Sequence, residues 1–171
     1  MAISEYLRHL RKKVGSELIL TPGVTILTFD EQDRVLLVRE RDNEMWGTPG
    51  GSIDPFETPA DAAVREMWEE TGLYVEPIRI VGAYGGDEAF HWQYSNGDEV
   101  IYVTVVFEAK VISGELKPQD TEILELRYFS QNEIEFLDTH EWVKMILNDA
   151  FRNRDFTNFD PPTWSPPSTE N

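Results

Sequence analysis

Between Gly51 and Leu73 the chain reads GSIDPFETPADAAVREMWEETGL, a glycine-bearing loop that runs into a helix. Thr58 has the side chain of an N-cap. Pro59 suits the first helical position, where its missing N–H has no partner to lose, and Asp61 completes a pattern close to a capping box. Gly72 stands where a helix ending at Thr71 calls for a left-handed residue. At 3.6 residues per turn, Glu66, Glu69 and Glu70 share one face, expected to turn to solvent. Ala60, Ala63, Val64 and Met67 fall on the other side and can pack on a sheet, while Arg65 precedes Glu69 by four and can pair with it. Three adjacent carboxylates repel one another and, near the helix C-terminus, also oppose its dipole. A solvated acidic face is the plain alternative. A bound Mg²⁺ or Mn²⁺, both of which prefer oxygen ligands, would offset the repulsion.

The spacing resembles the Nudix box, G-x5-E-x7-R-E-U-x-E-E-x-G-U, in which U is a bulky aliphatic residue. Gly51, Glu57, Arg65, Glu66, Glu69, Glu70 and Gly72 occupy its fixed positions, and Met67 and Leu73 its two U positions. With average residue frequencies such a match arises by chance at roughly 10⁻⁸ per starting position. The likeness extends over about residues 18–150. It implies an α/β Nudix fold, a mixed β-sheet sandwiched between α-helices, with the box as a loop–helix–loop. It places metal ligation on Glu66, Glu69 and Glu70, with the Gly50 carbonyl as a backbone ligand, and makes Glu57 and Arg65 the pair that braces the loop against the helix.

The activity implied by the resemblance is Mg²⁺- or Mn²⁺-dependent hydrolysis of a pyrophosphate bond in a nucleoside diphosphate joined to another moiety. ADP-ribose-like compounds, (d)NTPs and dinucleoside polyphosphates all stay open as substrates. The alternative is a catalytically silent nucleotide-binding sensor of the same fold. Family members often take a general base from a loop before a late strand. Here that loop is Lys117–Glu122, with Glu122 preferred over Asp120 and Glu125; Glu99 is a further candidate, and Glu66 could serve twice. One residue departs from the family habit: Phe56 stands before Glu57 where many members have glycine, and is expected to reshape the loop.

Outward from the box, residues 40–57 read as a long loop, which in a compact domain is usually functional. Before it, Leu18–Phe29 reads as one bent strand or two short ones around Pro22-Gly23, Asp30–Asp33 as a hairpin turn, and Arg34–Arg39 as the returning strand. Ile3–Val14 reads as an amphipathic helix stopped by Gly15. After the box, Tyr74–Tyr84, Glu99–Ile112 and Ile123–Phe129 read as strands, with Asn96-Gly97 as a turn, and Glu133–Phe151 as a helix. The expected organisation is an N-terminal helix (1–17), one domain (18–152) and a proline-rich tail (153–171) bearing Pro161, Pro162, Pro166 and Pro167.

The 171 residues suffice for one domain with a proper core, and 40% apolar with 12% aromatic content is that of a folded chain. Cysteine is absent, which excludes disulfides, thiolate chemistry and Cys-ligated metals. The formal charge of −17 repels nucleic acid polymers and anionic membranes; the partner that the resemblance implies is a small nucleoside diphosphate-type substrate. No apolar run has membrane length and the first residues lack a secretory pattern, so the cytoplasm is the expected location.

Trp46, just before the box, either stacks on a base or rests on the core. Phe90, His91, Trp92 and Tyr94 form an aromatic cluster bounded by Gly85-Gly86 and Asn96-Gly97. It reads as a loop over an adenine or ribose, or else as hairpin packing or a dimer contact. Trp46, Arg39, Phe90 and Tyr94 are the candidate substrate contacts. His9 and His140 read as helical surface residues, and Trp164 as a tail residue with no core pattern around it. The aromatic surplus and the family's habit together carry the expectation of a homodimer.

Overall fold

The computed structural model describes residues 4–94, 96–118, 122–152 and 154–166; Ile3, Asp120, Asn153 and Pro167 lie outside them. Its centre is a mixed sheet. The long strand β7 (Glu99–Gly114) pairs in parallel with β1 (Ile19–Leu27) and antiparallel with β5 (Leu73–Gly85) and the short β6 (His91–Gln93). The edge strand β4 (Gly50–Ser52) joins β1 antiparallel, giving the order β4-β1-β7-β5. A second, antiparallel sheet holds β3 (Trp46–Gly47), β2 (Val35–Glu40) and β8 (Ile123–Phe129). Four α-helices are described: α1 (Glu5–Val14), α2 (Pro59–Thr71), α3 (Gln131–Ile134) and α4 (Glu141–Arg152).

Strand alternation divides the core in two. Phe107 and Ala109 of β7 and Val24 and Ile26 of β1 pack with Ala62, Ala63 and Met67 of α2. Val106, with Leu27, Val81 and Phe129, packs with Val143, Ile146 and Leu147 of α4. Helices on both faces give the sandwiched α/β arrangement that the box implied.

Several local readings change. Asp30 does make the turn, its carboxylate accepting from the Gln32 and Arg34 N–H groups at 2.9 Å each. The strands it joins then part: β2 keeps only the Phe29–Val35 bridge and the Leu36 N–H to Thr28 bond with the first strand, and pairs with β8 and β3. The loop 40–57 contains β3 and β4, and the loop of the aromatic cluster contains β6, so that cluster is part of a hairpin. Pro22 is tolerated within a continuous β1 because it lies just beyond the last β4 pair at Gly23.

The helix expected over 133–151 is broken into α3 and α4. Trp46 N–H donates to the Asp138 carbonyl (2.9 Å) and Thr139 Oγ1 donates to the Trp46 carbonyl, so this backbone is committed to a strand-like bridge. In α2, Ala60 is exposed and Ala62 takes its place in the core.

Described segments near both termini contact the domain. Arg11 of α1 donates to the Glu99 carbonyl (2.6 Å) and pairs with Asp98 (3.6 Å). The tail, for which no core-forming pattern was visible, adds Asn158 to the β5 edge: its N–H donates to Val81 O (2.8 Å) and its carbonyl accepts from Ala83 N–H (3.1 Å). Gly82 permits this approach, since a Cβ there would lie 2.7 Å from the Asn158 carbonyl oxygen and 2.6 Å from the Tyr84 ring. Gly82→Ala is therefore expected to cost about 1–3 kcal/mol by overpacking and to speed proteolytic loss of the tail. An unchanged melting temperature together with an unchanged cleavage rate would refute that coupling. No helix among the described residues is long and apolar enough to cross a membrane.

Candidate active site

The local chemistry of α2 builds the site. Thr58 Oγ1 accepts from Asp61 N–H (3.1 Å) and donates to the Asp61 carboxylate (2.6 Å), fixing the start of the helix. Gly72 ends it at φ 73°. Between them, Glu66 and Glu70 do not turn to solvent as expected. Each is only 8% exposed, because their row on the helix leans on the Gly50–Gly51 strand, and Glu69 alone of the three points outward. Glycine is needed at Gly50, where a Cβ would fall 2.3 Å from the Val24 carbonyl oxygen, and a Cβ at Gly51 would displace the Glu66 carboxylate, whose Oε1 would lie 2.2 Å away. Gly50 N–H donates to Glu70 Oε2 at 3.1 Å.

Arg65 ties loop to helix. Its Nε and Nη2 grip the two oxygens of Glu57 (2.8 and 2.9 Å), Nη1 reaches Glu66 Oε1 (2.7 Å) and Glu69 Oε2 (3.1 Å), and Nη2 also donates to the Ser52 carbonyl (3.0 Å). The hydrogen bonds from Arg65 hold the Glu57 carboxyl below its ordinary value. Burial pushes Glu66 up in spite of Arg65. Glu70 is pushed well up, first by burial and then by the charge of Glu66. Two buried carboxylates that disfavour their own ionisation, beside a backbone cradle with no room for a Cβ, form an all-oxygen donor set that fits Mg²⁺ or Mn²⁺. Among the described residues no three acidic or imidazole side chains already close on one point; Arg65 holds Glu69 and one oxygen of Glu66 instead.

Phe56 occupies the left-handed region at φ 71° with its side chain fully out in solvent. This backbone conformation explains why glycine suits that place in the box.

Glu70, Gly50 and Gly51 form one end of a cavity of about 160 Å³. Of the candidate substrate contacts, Phe90 and Tyr94 line it. Trp46 is outside its lining and packs edge-to-face on Phe129, centroids 4.6 Å apart. Arg39 is also outside it, bound to the Glu44 carboxylate and carbonyl at 3.0 Å each. Of Glu99, Glu122 and Glu125, Glu122 alone lines the cavity; Glu99 pairs with His91 (3.3 Å).

Sequence reasoning missed Glu40, Thr48, Trp142 and Tyr102 as lining residues, and took His140 for a surface residue. His140 precedes α4 and lies edge-on to Trp92 (4.8 Å) and parallel to Trp142 (6.3 Å). The Tyr94 and Tyr102 hydroxyls are bonded at 2.9 Å, and burial raises the pKa of both. The strand pattern of β2 did hold a signal: Val38 and Glu40 share a face that Arg39 does not.

Comparison with known proteins agrees with this geometry. The NUDIX domain profile matches residues 19–149. An ADP-ribose pyrophosphatase of Methanocaldococcus jannaschii is 31% identical over 121 residues, covering 68% of this chain and 67% of that protein. A MutT-like protein of Streptomyces ambofaciens is 44% identical over 54 residues, 32% of this chain and 35% of its own length. The structure of a NUDIX hydrolase from Nitrosomonas europaea superposes with a TM-score of 0.63 at 27% identity, covering 78% of this chain and 89% of that one. The chain belongs to the Nudix family. It spans between 35% and 43% of the length of three curated relatives that it matches.

Proposed function

We propose that this protein is a Mg²⁺- or Mn²⁺-dependent pyrophosphohydrolase acting on a nucleoside diphosphate joined to another moiety. The observation that carries the proposal is the burial of Glu66 and Glu70 against Gly50 and Gly51, with Glu70 and both glycines lining the cavity. The name of the M. jannaschii relative, an ADP-ribose pyrophosphatase, supports the same chemistry.

Glu66, Glu70 and Glu69, the last after release from Arg65, would hold the cation together with the Gly50 carbonyl. When bound, the cation neutralises the diphosphate and lowers the pKa of an attacking water. The remaining work falls to the chain. Arg65 keeps the Ser52–Glu57 loop against the helix, and the cavity orients the substrate. Glu122 accepts the proton that water gives up as its oxygen bonds to phosphorus and the bridging oxygen leaves with the other half.

Hydrolysis of a nucleotide panel, with Mg²⁺, with Mn²⁺ and in excess EDTA, tests the reading. Turnover that survives EDTA, or saturable binding with no turnover of any panel member, would sink it, and the second outcome would favour a sensor. For the base, Glu122→Gln is expected to lower kcat about 10²-fold, the lower end of general-base contributions, with KM nearly unchanged and the acidic limb of the pH–rate profile flattened. An unchanged kcat with that limb intact would pass the role to another group. A homodimer belongs to the same proposal, supported by the exposed Tyr74, Ile78, Ile80 and Ile112 on β5 and β7. Light scattering that gives a monomer at micromolar concentration would remove it.

A further inference from the structure

The cavity holds more acid than a diphosphate site requires. Besides Glu70, it is lined by Glu40, Asp42 and Glu122, and Arg41 is the only Lys or Arg among its described lining residues. A ring carrying further phosphates would meet this wall as a like charge, whereas a neutral ring with O–H or N–H donors would meet acceptors.

Glu40 is the acceptor most firmly placed. Asn43 Nδ2 donates to Glu40 Oε2 (2.9 Å), while Asn43 Oδ1 accepts from Met45 N–H (2.8 Å), so a flip of the amide would lose both bonds. Glu40 Oε1 rests over Gly47, where a Cβ would come within 2.8 Å. Next along the chain, Thr48 lines the same cavity and is 8% exposed, and its Oγ1 has no hydrogen-bond partner in the protein. Buried hydroxyls are ordinarily paired, and this one, sealed from solvent at the cavity wall, would gain a ligand group as partner by rotation of the Thr48 side chain. Trp92, His140 and Trp142 supply flat surface in the same cavity.

We propose that Glu40, positioned by Asn43, and Thr48 are specificity-determining residues that select an uncharged, donor-rich ring, the sugar or base of a nucleotide, against rings that carry additional phosphates. The inference deepens the hydrolase reading and rests on its assignment of the cavity to substrate. Recognition works through hydrogen bonds to the held carboxylate and the buried hydroxyl, and the acidic wall supplies the rejection.

The test is calorimetric binding in Mg²⁺ of probes with no pyrophosphate bond to cleave: AMP, GMP, UMP, CMP, ribose 5-phosphate and inositol hexakisphosphate. At least one of the first five should bind at least tenfold more tightly than inositol hexakisphosphate. Glu40→Gln should weaken that probe about tenfold or more, and Thr48→Val about fivefold, with melting temperatures close to wild type. Gly47→Ala displaces the Glu40 carboxylate without altering it, and should act in the same direction. If the 2′,3′-dideoxy form of the best nucleotide loses as much as Glu40→Gln does, the carboxylate reads the sugar; if it binds equally well, the base edge is read. Failure of every one of the first five probes, equal or tighter binding of inositol hexakisphosphate, or unchanged affinity in both Glu40→Gln and Gly47→Ala would overturn the assignment. Binding as described without hydrolysis of any pyrophosphate would sink the enzyme reading and leave this one standing. Hydrolysis with unaltered binding in both variants would do the reverse.

Discussion

Glu70→Gln is expected to lower kcat by about 10³-fold on whichever nucleotide the panel identifies, a loss of about 4 kcal/mol of transition-state stabilisation. The amide keeps an oxygen to accept from Gly50 N–H, so the fold has no lost hydrogen bond to absorb. What disappears is an anionic donor. In metal-free protein the sign reverses. Glu70 is buried beside Glu66 and its pKa is raised, so the folded state holds that proton more tightly than the unfolded state. Wild type is thus stabilised as pH falls through the raised value and penalised above it. Metal-free Glu70→Gln should therefore melt higher than wild type at pH 8, with the difference shrinking as the buffer is made acidic. Added Mg²⁺ or Mn²⁺ should raise the melting temperature of wild type far more than that of the variant, as ligand linkage requires. Wild-type turnover, or an undiminished metal-induced shift in the variant, would dismiss Glu70 as a ligand.

The second large effect is expected at Arg65. Arg65→Ala removes the contacts to Glu57, Glu66, Glu69 and the Ser52 carbonyl together. Breaking a buried pair costs about 3–5 kcal/mol, and with Arg65 30% exposed a figure of about 2–3 kcal/mol is appropriate. Activity should fall about 10²-fold in kcat/KM, because losing the partner that orients Glu66, the ligand Arg65 keeps holding, costs about 10- to 100-fold. Arg65→Lys should recover less than half, since one ammonium cannot reproduce a fork that grips both oxygens of Glu57. The pH dependence has a defined sign as well. Glu57 titrates below its ordinary value in the fold, so its contribution is present at neutral pH and is lost as pH falls through that lowered value. The stability gap between wild type and Arg65→Ala should accordingly narrow in acid, as thermal melts across pH will report. Full rescue by lysine would show that charge, and not geometry, is what the site uses there.

The residues of the box show why some of this was legible in the sequence. Thr58, Pro59, Asp61 and Gly72 act through hydrogen bonds and backbone conformation within a few residues of themselves, so the bounds of α2 could be read directly and agree with the structure. Helical spacing likewise brought Glu66, Glu69 and Glu70 together. Spacing could not say which of them is buried. That depends on Gly50 and Gly51 arriving against the helix from the β4 edge, a contact 20 residues away along the chain for Gly50 and Glu70.

The same limit separates the other readings. The strand Ile123–Phe129 is fixed by its own alternation and apolar content, and it appears with the expected bounds. The helix read across 133–151 rested on apolar spacing around Trp142, Ile146 and Ala150, and a bridge to Trp46, 93 residues earlier than Thr139, interrupts it. Trp46 itself went to the core rather than the cavity because Phe129 of a late strand lies beneath it. His140 and Trp142 joined the cavity only when that broken helix carried them to Trp92 of another hairpin. By itself the sequence determined what short-range hydrogen bonding and periodicity control: the longer strands, the capped helix and the oxygen-rich chemistry of the box. Tertiary structure alone decided which polar groups are desolvated, because burial is set by the segment that packs on top, and no local pattern encodes its arrival. Thr48 is the clearest instance, an ordinary polar residue of a stretch read as loop, buried at the wall of a cavity where two sheets meet, with half-buried Glu40 lining the same cavity.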